Sequence, residues 1–446
     1  MTTHKYALQA AHRASYFDLL RQRGAAAVIP THTAKTRSND TEFRFRPGSD
    51  FWYLTGFAEP ESYLVMLPAR EPDQEDRTIL FLRARDPLLE TWHGRRLGID
   101  AAPDELGIDE AWDESDFWTS LPDLLRGYGS LVWSVGPEPE RDRRFLDIVQ
   151  NLRNRARGKV LPPTEILDPR GLVHELRLRK DATEIECMRK AAAITAEAHM
   201  QAMRDCAPGV SEHEIDALLE YTFRRRGGEG CAYTNIVAGG ENACILHYVE
   251  NNQPLVDGEL LLIDAGAEWQ HYASDVTRTF PVNGTFSEDQ KALYEVVLAA
   301  QEAAVEAVRP GAPFREVHET ALACLCQGML DLGILTGSLE EVLESGAYQP
   351  YYMHGTSHWL GLDVHDCGSN TTPEGESRLL EPGMVLTVEP GLYIESDSEA
   401  PERFWGMGIR IEDDVLVTAG GHEVLTAAIP KSVAEVEAAC APPVHA

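Results

Sequence analysis

The stretch GELLLIDAG, residues 258–266, returns in altered form as GMVLTVEPG, residues 383–391. Each is an apolar run between glycines that closes on a carboxylate, Asp264 in the first and Glu389 in the second. These two carboxylates are 125 residues apart, from 264 to 389, and the opening glycines keep the same separation. A short apolar run between turn residues predicts a buried strand. The repetition therefore predicts two related halves, each delivering one acidic side chain from the end of a strand.

The helical pattern around the two strands repeats as well. A helix is expected from Asp181, with Glu184 in the spacing of a capping box, and a second helix from Ser211. Ser287 and Gln290 repeat this start before the second strand, and the helical run FREVHETALACLCQGML follows. The second part of the chain is therefore predicted to be α+β with an internal pseudo-two-fold repeat.

The first part of the chain mixes helix and strand signals. AAHRASYFDLLRQRG and FLDIVQNLRNRA have helical patterns, whereas AAAVIP, FWYLTGF, SYLVMLP and TILFLRA are typical of strands. The proline-rich segment LPPTEILDPRG, residues 161–171, then separates this α/β part from the rest. We therefore expect two domains, residues 1–175 and 176–446.

The composition is that of a globular protein with a large excess of acidic residues. The 446 residues are 43% hydrophobic and carry a formal net charge of −32. Nucleic-acid or anionic-membrane partners are not expected, because phosphate binding needs clusters of Lys and Arg. The segment MTTHKYALQAAHRASYF lacks the apolar core of a signal peptide, and the eight cysteines are scattered. We therefore expect a cytoplasmic protein with reduced thiols.

Four acidic residues occupy positions next to apolar strands, where an isolated charge is costly. Asp264 ends a predicted apolar strand, and Asp275 lies where the chain returns in a second strand. Glu389 ends VLTVE, and Glu412 lies two residues after Arg410 in GMGIRIEDD. Taken singly, an aspartate at a strand end fits a turn cap, and Arg410 with Glu412 fits a structural ion pair on one strand face. Burying all four without compensation is unfavourable, so together they favour a cation site.

Three histidines fall within HGTSHWLGLDVHD, residues 354–366. The spacing of His354 and His358 is that of a zinc-protease helix, but Gly355 stands where such a helix has its glutamate, and loop and strand are expected instead. Carboxylates with a few imidazoles suit two divalent ions such as Mn²⁺ or Co²⁺ better than one zinc. Two such ions about 3.5–4 Å apart, bridged by carboxylates and a hydroxide, would provide a nucleophile at neutral pH.

Other reaction classes lack their motifs. The chain contains no G-x-x-x-x-G-K-[ST] phosphate loop and no G-x-S-x-G nucleophile elbow. The sequence therefore favours metal-assisted hydrolysis over phosphoryl transfer or serine-hydrolase chemistry.

The candidate ligands and their surroundings resemble the pita-bread metallopeptidases, family M24. Five residues match the metal ligands of that family: Asp264, Asp275, His358, Glu389 and Glu412. HGTSHWLGLDVHD, VEPGLYI, GIRIEDD and RSNDTEFRFRPGSDFWYLTGF are most similar to its Xaa-Pro aminopeptidases, the aminopeptidase P group. The resemblance covers essentially the whole chain. It implies a creatinase-type α/β N-terminal domain and a pita-bread catalytic domain.

The resemblance also implies an activity and a metal. The enzyme would hydrolyse the N-terminal Xaa-Pro bond of peptides through a hydroxide bridging two divalent ions, with Mn²⁺ expected. Asp264 would bind one ion and His358 and Glu389 the other, while Asp275 and Glu412 bridge them. Glu389 would also accept a proton during catalysis.

Further residues are implied to contact the substrate or a second subunit. The catalytic and substrate-binding candidates beyond the ligands are His247, His354, His365, Arg410 and Tyr393. His354 and His365 would hydrogen-bond the peptide and the intermediate, and His247 would orient the substrate. Trp92 resembles a residue that reaches a neighbouring subunit's site, which implies a homo-oligomer, either a dimer or a tetramer. A Trp packed within its own domain remains the alternative.

Two alternatives to this activity stay open. A prolidase shares the metal ligands but accepts only Xaa-Pro dipeptides. Some pita-bread proteins bind partners without catalysis, and these have typically lost metal ligands, whereas all five residue types are present here.

Overall fold

The computed structural model describes residues 7–155 and 160–441, so the first residues of the segment inspected for a signal peptide lie outside it. The chain divides into two compact units, Met1–Arg177 and Leu178–Ala446. Within the described residues, no helix has both the length and the apolar character needed to cross a membrane.

The first unit is built on a six-stranded mixed sheet. Its elements in chain order are α1 (Ala7–Arg23), β1 (Ala25–Pro30), β2 (Thr36–Ser38), β3 (Thr41–Glu42), α2 (Ser49–Thr55), β4 (Tyr63–Leu67), β5 (Arg77–Leu82), α3 (Pro87–His93), α4 (Ala102–Leu106), β6 (Glu110–Asp113), α5 (Phe117–Leu124), β7 (Ser130–Val132), α6 (Pro139–Arg155), β8 (Glu165–Leu167) and α7 (Val173–Leu178). The strand order is β6-β5-β4-β1-β7-β8, and β1 runs antiparallel to β4 and parallel to β7. An aromatic core that includes Phe81, Phe117 and Phe145 packs against this sheet.

The segment FWYLTGF forms most of helix α2, so the strand predicted from its aromatic residues is wrong. The helix ends at Gly56, which has a φ of 62° and donates its N–H to the Trp52 carbonyl. Phe51, Leu54 and Thr55 are buried at helical spacing on one face. A left-handed glycine cap and burial along this face outweigh the strand preference of the aromatic residues.

The second unit contains the repeated halves. Its elements are α8 (Ala182–Asp205), α9 (Glu212–Arg225), β9 (Gly230–Cys231), β10 (Ile236–Gly239), β11 (Leu260–Asp264), β12 (Ala267–Trp269), β13 (Tyr272–Ala273), β14 (Thr277–Pro281), α10 (Glu288–Ala307), α11 (Phe314–Asp331), α12 (Leu339–Ser345), β15 (Val385–Val388), β16 (Gly391–Ile394), β17 (Met407–Arg410), β18 (Asp413–Thr418), β19 (Gly421–Val424) and α13 (Val433–Cys440). Capping boxes at Asp181, Ser211 and Ser287 confirm the three predicted helix starts.

Each of the two repeated sequence stretches becomes a buried strand in its own sheet. β11 is the centre of the antiparallel sheet β10-β11-β14, and β15 is at the edge of the antiparallel sheet β15-β18-β19. Helices α8 and α9 precede the first strand in the chain, and α10 and α11 precede the second. The helix–helix–strand order predicted from the sequence is therefore present twice.

A buried arginine connects the sheet that contains β11 to the sheet that contains β15. Arg278 on β14 pairs with Asp413 on β18 at 2.7 Å, and the side chains of both are almost inaccessible to solvent. Its guanidinium also donates to the carbonyl oxygens of Thr277, Glu412, Ile429 and Pro430. Lys431 lies 2.7 Å from the same aspartate. One guanidinium therefore holds the Glu412 carbonyl and the Asp413 side chain beside β14.

We expect Arg278→Ala to lower the free energy of unfolding of this unit by about 3–5 kcal/mol, because it leaves Asp413 buried with one cation fewer. The measurement is urea denaturation followed by circular dichroism. Arg224→Ala, which removes an exposed pair with Glu220 on α9, is the control and should change stability by less than about 1 kcal/mol. Equal unfolding midpoints for the two variants would contradict the role given to Arg278.

Candidate active site

A cavity of about 560 Å³ in the second unit gathers most of the residues selected from the sequence. Nine of them line it: His247, Asp264, Asp275, His354, His358, His365, Glu389, Arg410 and Glu412. Tyr393 is buried beside the cavity, and Trp92 belongs to the other unit, on helix α3 with 78% of its surface exposed.

Asp264 reaches the cavity from the end of β11, where its backbone pairs with Thr277 on β14. One carboxylate oxygen accepts a hydrogen bond of 2.6 Å from the Tyr233 hydroxyl, and the other accepts one of 2.6 Å from Nη2 of Arg410. Burial raises the pKa of Asp264, although Arg410 acts in the opposite direction. The carboxylate is therefore oriented by two donors before any ligand binds.

Asp275, His358 and Glu412 form a close group of potential ligands. Their ligand atoms lie within 4.8 Å of one another. Nε2 of His358 is 3.4 Å from Asp275 and 3.5 Å from Glu389. Nδ1 of His358 lies 3.0 Å from the Trp359 carbonyl, which can only accept, so Nδ1 carries a proton and Nε2 is directed to the carboxylates.

The pKa values of these groups are shifted because several buried carboxylates lie close together. Burial raises the pKa of Glu389 to about 7, and burial together with Asp275 raises that of Glu412 well above its ordinary value. For His358, Asp275 and Glu389 outweigh the opposing effect of burial and raise the pKa to about 9. Divalent cations would offset the repulsion between these carboxylates. Four carboxylates with one imidazole are a donor set that suits such cations.

Each glutamate of the site is held by a hydrogen bond to a threonine of another segment. The Glu389 N–H donates to the Thr356 carbonyl at 2.9 Å, just after β15 ends. Glu412, between β17 and β18, accepts 2.7 Å from the Thr277 hydroxyl. The alternating pattern that placed Arg410 and Glu412 on one strand ends at Arg410, whose ion pair is made with Asp264 at 2.6 Å. The alternative of a structural Arg410–Glu412 ion pair is therefore replaced by a pair between the two halves.

His354 is held by the protein through both ring nitrogens. Nδ1 lies 2.8 Å from the Gly355 carbonyl, and Nε2 lies 2.8 Å from the Tyr393 hydroxyl, which also accepts from Arg410 at 2.9 Å. Burial, assisted by Arg410, lowers the pKa of His354 to about 4, so the ring is neutral near pH 7. Tyr393 thus lies behind His354 and supports it.

The segment containing the three histidines is irregular, so the expected loop is present but the expected strand is not. Apart from one β-bridge between Trp359 and Leu386, residues 354–366 form no strand or helix. The rings of His358 and His365 meet edge to face with centroids 4.5 Å apart. His247 lies on a separate loop and is exposed at the cavity. The zinc-protease helix is therefore excluded.

Sequence reasoning missed three polar residues that support the site. Tyr233 binds Asp264, Thr277 binds Glu412, and Asp414 accepts the Asp275 N–H at 3.1 Å. Thr277 could have been found from the polar alternation in DVTRTF, and Asp414 from the acidic residues that follow Glu412. Tyr233 has no comparable sequence signal.

Comparisons with known proteins agree with this geometry. A family model described as Metallopeptidase family M24 matches residues 186–419, more than half of the chain. The chain belongs to this family. A second model, described as Aminopeptidase P, N-terminal domain, matches residues 9–133 of this M24 metallopeptidase.

Relatives of this M24 metallopeptidase match it over nearly its whole length. It is 45% identical to a Xaa-Pro aminopeptidase of Escherichia coli, covering 94% of each chain, and 44% identical to one of Haemophilus influenzae, covering 93% of each. Aminopeptidase PepP of Pseudomonas aeruginosa superposes with a TM-score of 0.92 at 44% identity, covering 97% of each chain. A zinc-substituted E. coli aminopeptidase P in complex with product gives 0.93 at 44% identity, again covering 97% of each. The predicted family and pita-bread fold are confirmed.

Proposed function

We propose that this M24 metallopeptidase removes the first residue from peptides whose second residue is proline. The observation that carries the proposal is the convergence of Asp264, Asp275, His358, Glu389 and Glu412 on one cavity. The relatives, which are Xaa-Pro aminopeptidases, support the choice of substrate.

We assign two divalent cations to the five residues. Asp264 would bind one cation and His358 and Glu389 the other, with Asp275 and Glu412 shared between them. When bound, such a pair supplies a nucleophile from water at neutral pH and stabilises negative charge on the scissile carbonyl. Mn²⁺ is the proposed metal, because hard oxygen donors with one imidazole match its preference.

Glu389 is the proposed proton carrier. Departure of proline from an Xaa-Pro bond requires its nitrogen to gain a proton, since the leaving group is a secondary amine. Glu389 lines the cavity beside His358 and has no ion pair with a lysine or arginine within the described residues. It would take a proton from the attacking water and return it to the proline nitrogen.

The histidines are the proposed substrate contacts. An Xaa-Pro bond offers no N–H, so a binding site can recognise its carbonyl oxygens and the shape of the proline ring. His247 and His365 are exposed at the cavity and can donate to a carbonyl. His354 would hydrogen-bond the peptide or intermediate through Nδ1 in place of the Gly355 carbonyl, while Tyr393, which accepts from Arg410, keeps its bond to Nε2.

We expect His354→Ala to lower kcat by about a hundredfold while the bound metal is retained, because this ring is assigned to substrate and not to metal. The measurement combines steady-state kinetics with metal analysis. His213→Ala, an exposed residue on α9, is the control and should leave both unchanged. Loss of a full equivalent of manganese from the His354 variant would contradict the assignment.

The proposal includes the peptide, the assembly and the compartment. The proposed partners are peptides whose second residue is proline. No nucleic-acid or membrane partner is proposed. The apolar side chains of Trp92 and Leu88 on α3 are exposed, which fits self-association as a dimer or tetramer. The scattered cysteines are in the reduced thiol form, which fits a cytoplasmic protein.

The activity is tested with three peptides incubated with metal-free and Mn²⁺-loaded protein. We expect the loaded protein alone to release arginine from Arg-Pro-Pro, and neither form to release it from Arg-Ala-Pro. Cleavage of Arg-Pro without Arg-Pro-Pro would indicate a prolidase. Absence of turnover in protein that binds Mn²⁺ would indicate a binding protein and refute the proposal.

A further inference from the structure

A second buried carboxylate, outside the proposed metal site, is satisfied entirely by neutral donors. Glu212, the first residue of α9, is 0% exposed. One oxygen accepts from the Gly239 N–H at 2.8 Å and from Nδ2 of Asn242 at 3.1 Å. The other accepts from the Tyr248 hydroxyl at 2.9 Å and from the Gln253 N–H at 2.9 Å. All four donors lie within residues 239–253, which we call the mouth loop.

The mouth loop carries one wall of the cavity. Leu246, His247 and Val249 line it, and they lie between the donors that bind Glu212. Val249 and the neighbouring Ile245 are about half exposed, so they contribute little burial to hold the loop. Two other residues of the loop, Ala243 and Tyr248, are buried in an apolar cluster, so polar anchors act together with this burial to keep His247 in place.

The opposite side of the loop is fixed by a close backbone approach. Gly408 on β17 lies so near the Ala243 carbonyl that a Cβ at this glycine would be 2.3 Å from the oxygen. β17 ends at Arg410, which belongs to the cavity. The mouth loop is thus held between Glu212 on one side and a strand of the site on the other.

The four hydrogen bonds of Glu212 are matched to an ionised carboxylate. A buried charge is stable when its acceptor sites are filled, and four donors fill them here. Burial, together with the hydrogen bond to Glu212, raises the pKa of Tyr248 to about 12, so its hydroxyl remains a donor at neutral pH. A glutamine at position 212 would point an N–H₂ group at two donors and leave them unpaired.

We infer that Glu212 is a positioning residue for substrate binding, which acts through the mouth loop to place His247 at the cavity. The inference rests on the proposed function, because His247 is assigned to substrate there. Among the described residues, the Glu212 side chain makes no hydrogen bond or ion pair with the five candidate metal ligands, so its loss should affect KM far more than kcat or metal content.

The test is a double-mutant cycle on Mn²⁺-loaded protein with Arg-Pro-Pro. We expect Glu212→Gln to raise KM about tenfold, the loss of roughly one hydrogen bond, with kcat changed less than about twofold. His247→Ala should raise KM similarly, and the double variant should be no worse than the worse single variant, because both act through one contact. If Glu212→Gln does not fold, Tyr248→Phe removes a single donor and should raise KM about threefold.

Asp142→Asn is the matched control. Asp142 is also a buried carboxylate that accepts from a side chain and a backbone N–H, namely Trp133 and Gly136, but it lies in the first unit. It should lower stability without raising KM. The inference would be overturned if the KM increases of the two single variants multiply in the double variant. It would also be overturned if KM is unchanged in folded Glu212→Gln.

Hydrogen exchange separates this inference from the proposed function. If the wild-type protein does not cleave Arg-Pro-Pro, the proposed function fails and so does the kinetic role of Glu212. If the wild type does cleave, the Gly239 and Gln253 amide protons should exchange faster in the Glu212→Gln variant than in the wild type. Exchange of the amide protons within the helices should be unchanged. Unchanged exchange at both amides would show that the loop does not depend on Glu212.

Discussion

Glu389→Gln should lower kcat on Arg-Pro-Pro by about a thousandfold while the protein keeps its fold. The amide has the shape of the carboxylate, so packing at the end of β15 is preserved. It cannot take up a proton from water, and it is a weaker ligand for a hard cation. The measurement is steady-state kinetics with circular dichroism as the check on folding.

Glu302→Gln provides the matched control for this substitution. Glu302 is an exposed glutamate on helix α10, remote in the sequence from every candidate ligand. Its replacement should leave kcat unchanged. A wild-type-like kcat in the Glu389 variant would refute the role assigned to that carboxylate.

Asp275→Asn should reduce the bound metal from two equivalents to one or fewer and weaken Mn²⁺ affinity by more than about a hundredfold. Loss of an outer partner of a metal ligand already costs about ten- to a hundredfold, and a ligand shared by two cations should cost more. Asp275 is buried, and its carboxylate lies within 4.8 Å of the ligand atoms of both His358 and Glu412. The measurements are metal analysis after dialysis and calorimetric titration.

The control for this variant is Asp257→Asn, at an exposed aspartate in the turn before β11. It should bind manganese as the wild type does. Retention of two equivalents with unchanged affinity in the Asp275 variant would remove Asp275 from the metal site.

The features that sequence reasoning predicted well are those encoded over a few neighbouring residues. Capping boxes at Asp181, Ser211 and Ser287 depend on side chains three positions apart, and the structure forms all three. The strands ending near Asp264 and Glu389 were visible because an apolar run between glycines is a local pattern. Their repetition then predicted that the two carboxylates come from related halves.

The features that it missed depend on contacts between distant segments. Arg410 makes its ion pair with Asp264, 146 residues earlier in the chain, a contact that no local pattern predicts. FWYLTGF was read as a strand because local preference favours it, whereas burial of Phe51 in the core decides for a helix. Glu212 carries no comparable sequence signal, because its donors lie 27 to 41 residues later in the chain.

The central claim is that five side chains of this M24 metallopeptidase hold two divalent cations in the cavity. An anomalous difference map, recorded at the manganese absorption edge from crystals grown with Mn²⁺, tests it most directly. We expect two peaks in the cavity, one beside Asp264 and one beside His358 and Glu389, with Asp275 and Glu412 reaching both. A map with no peak among these residues, or with a single peak held by His354 and His358, would contradict it.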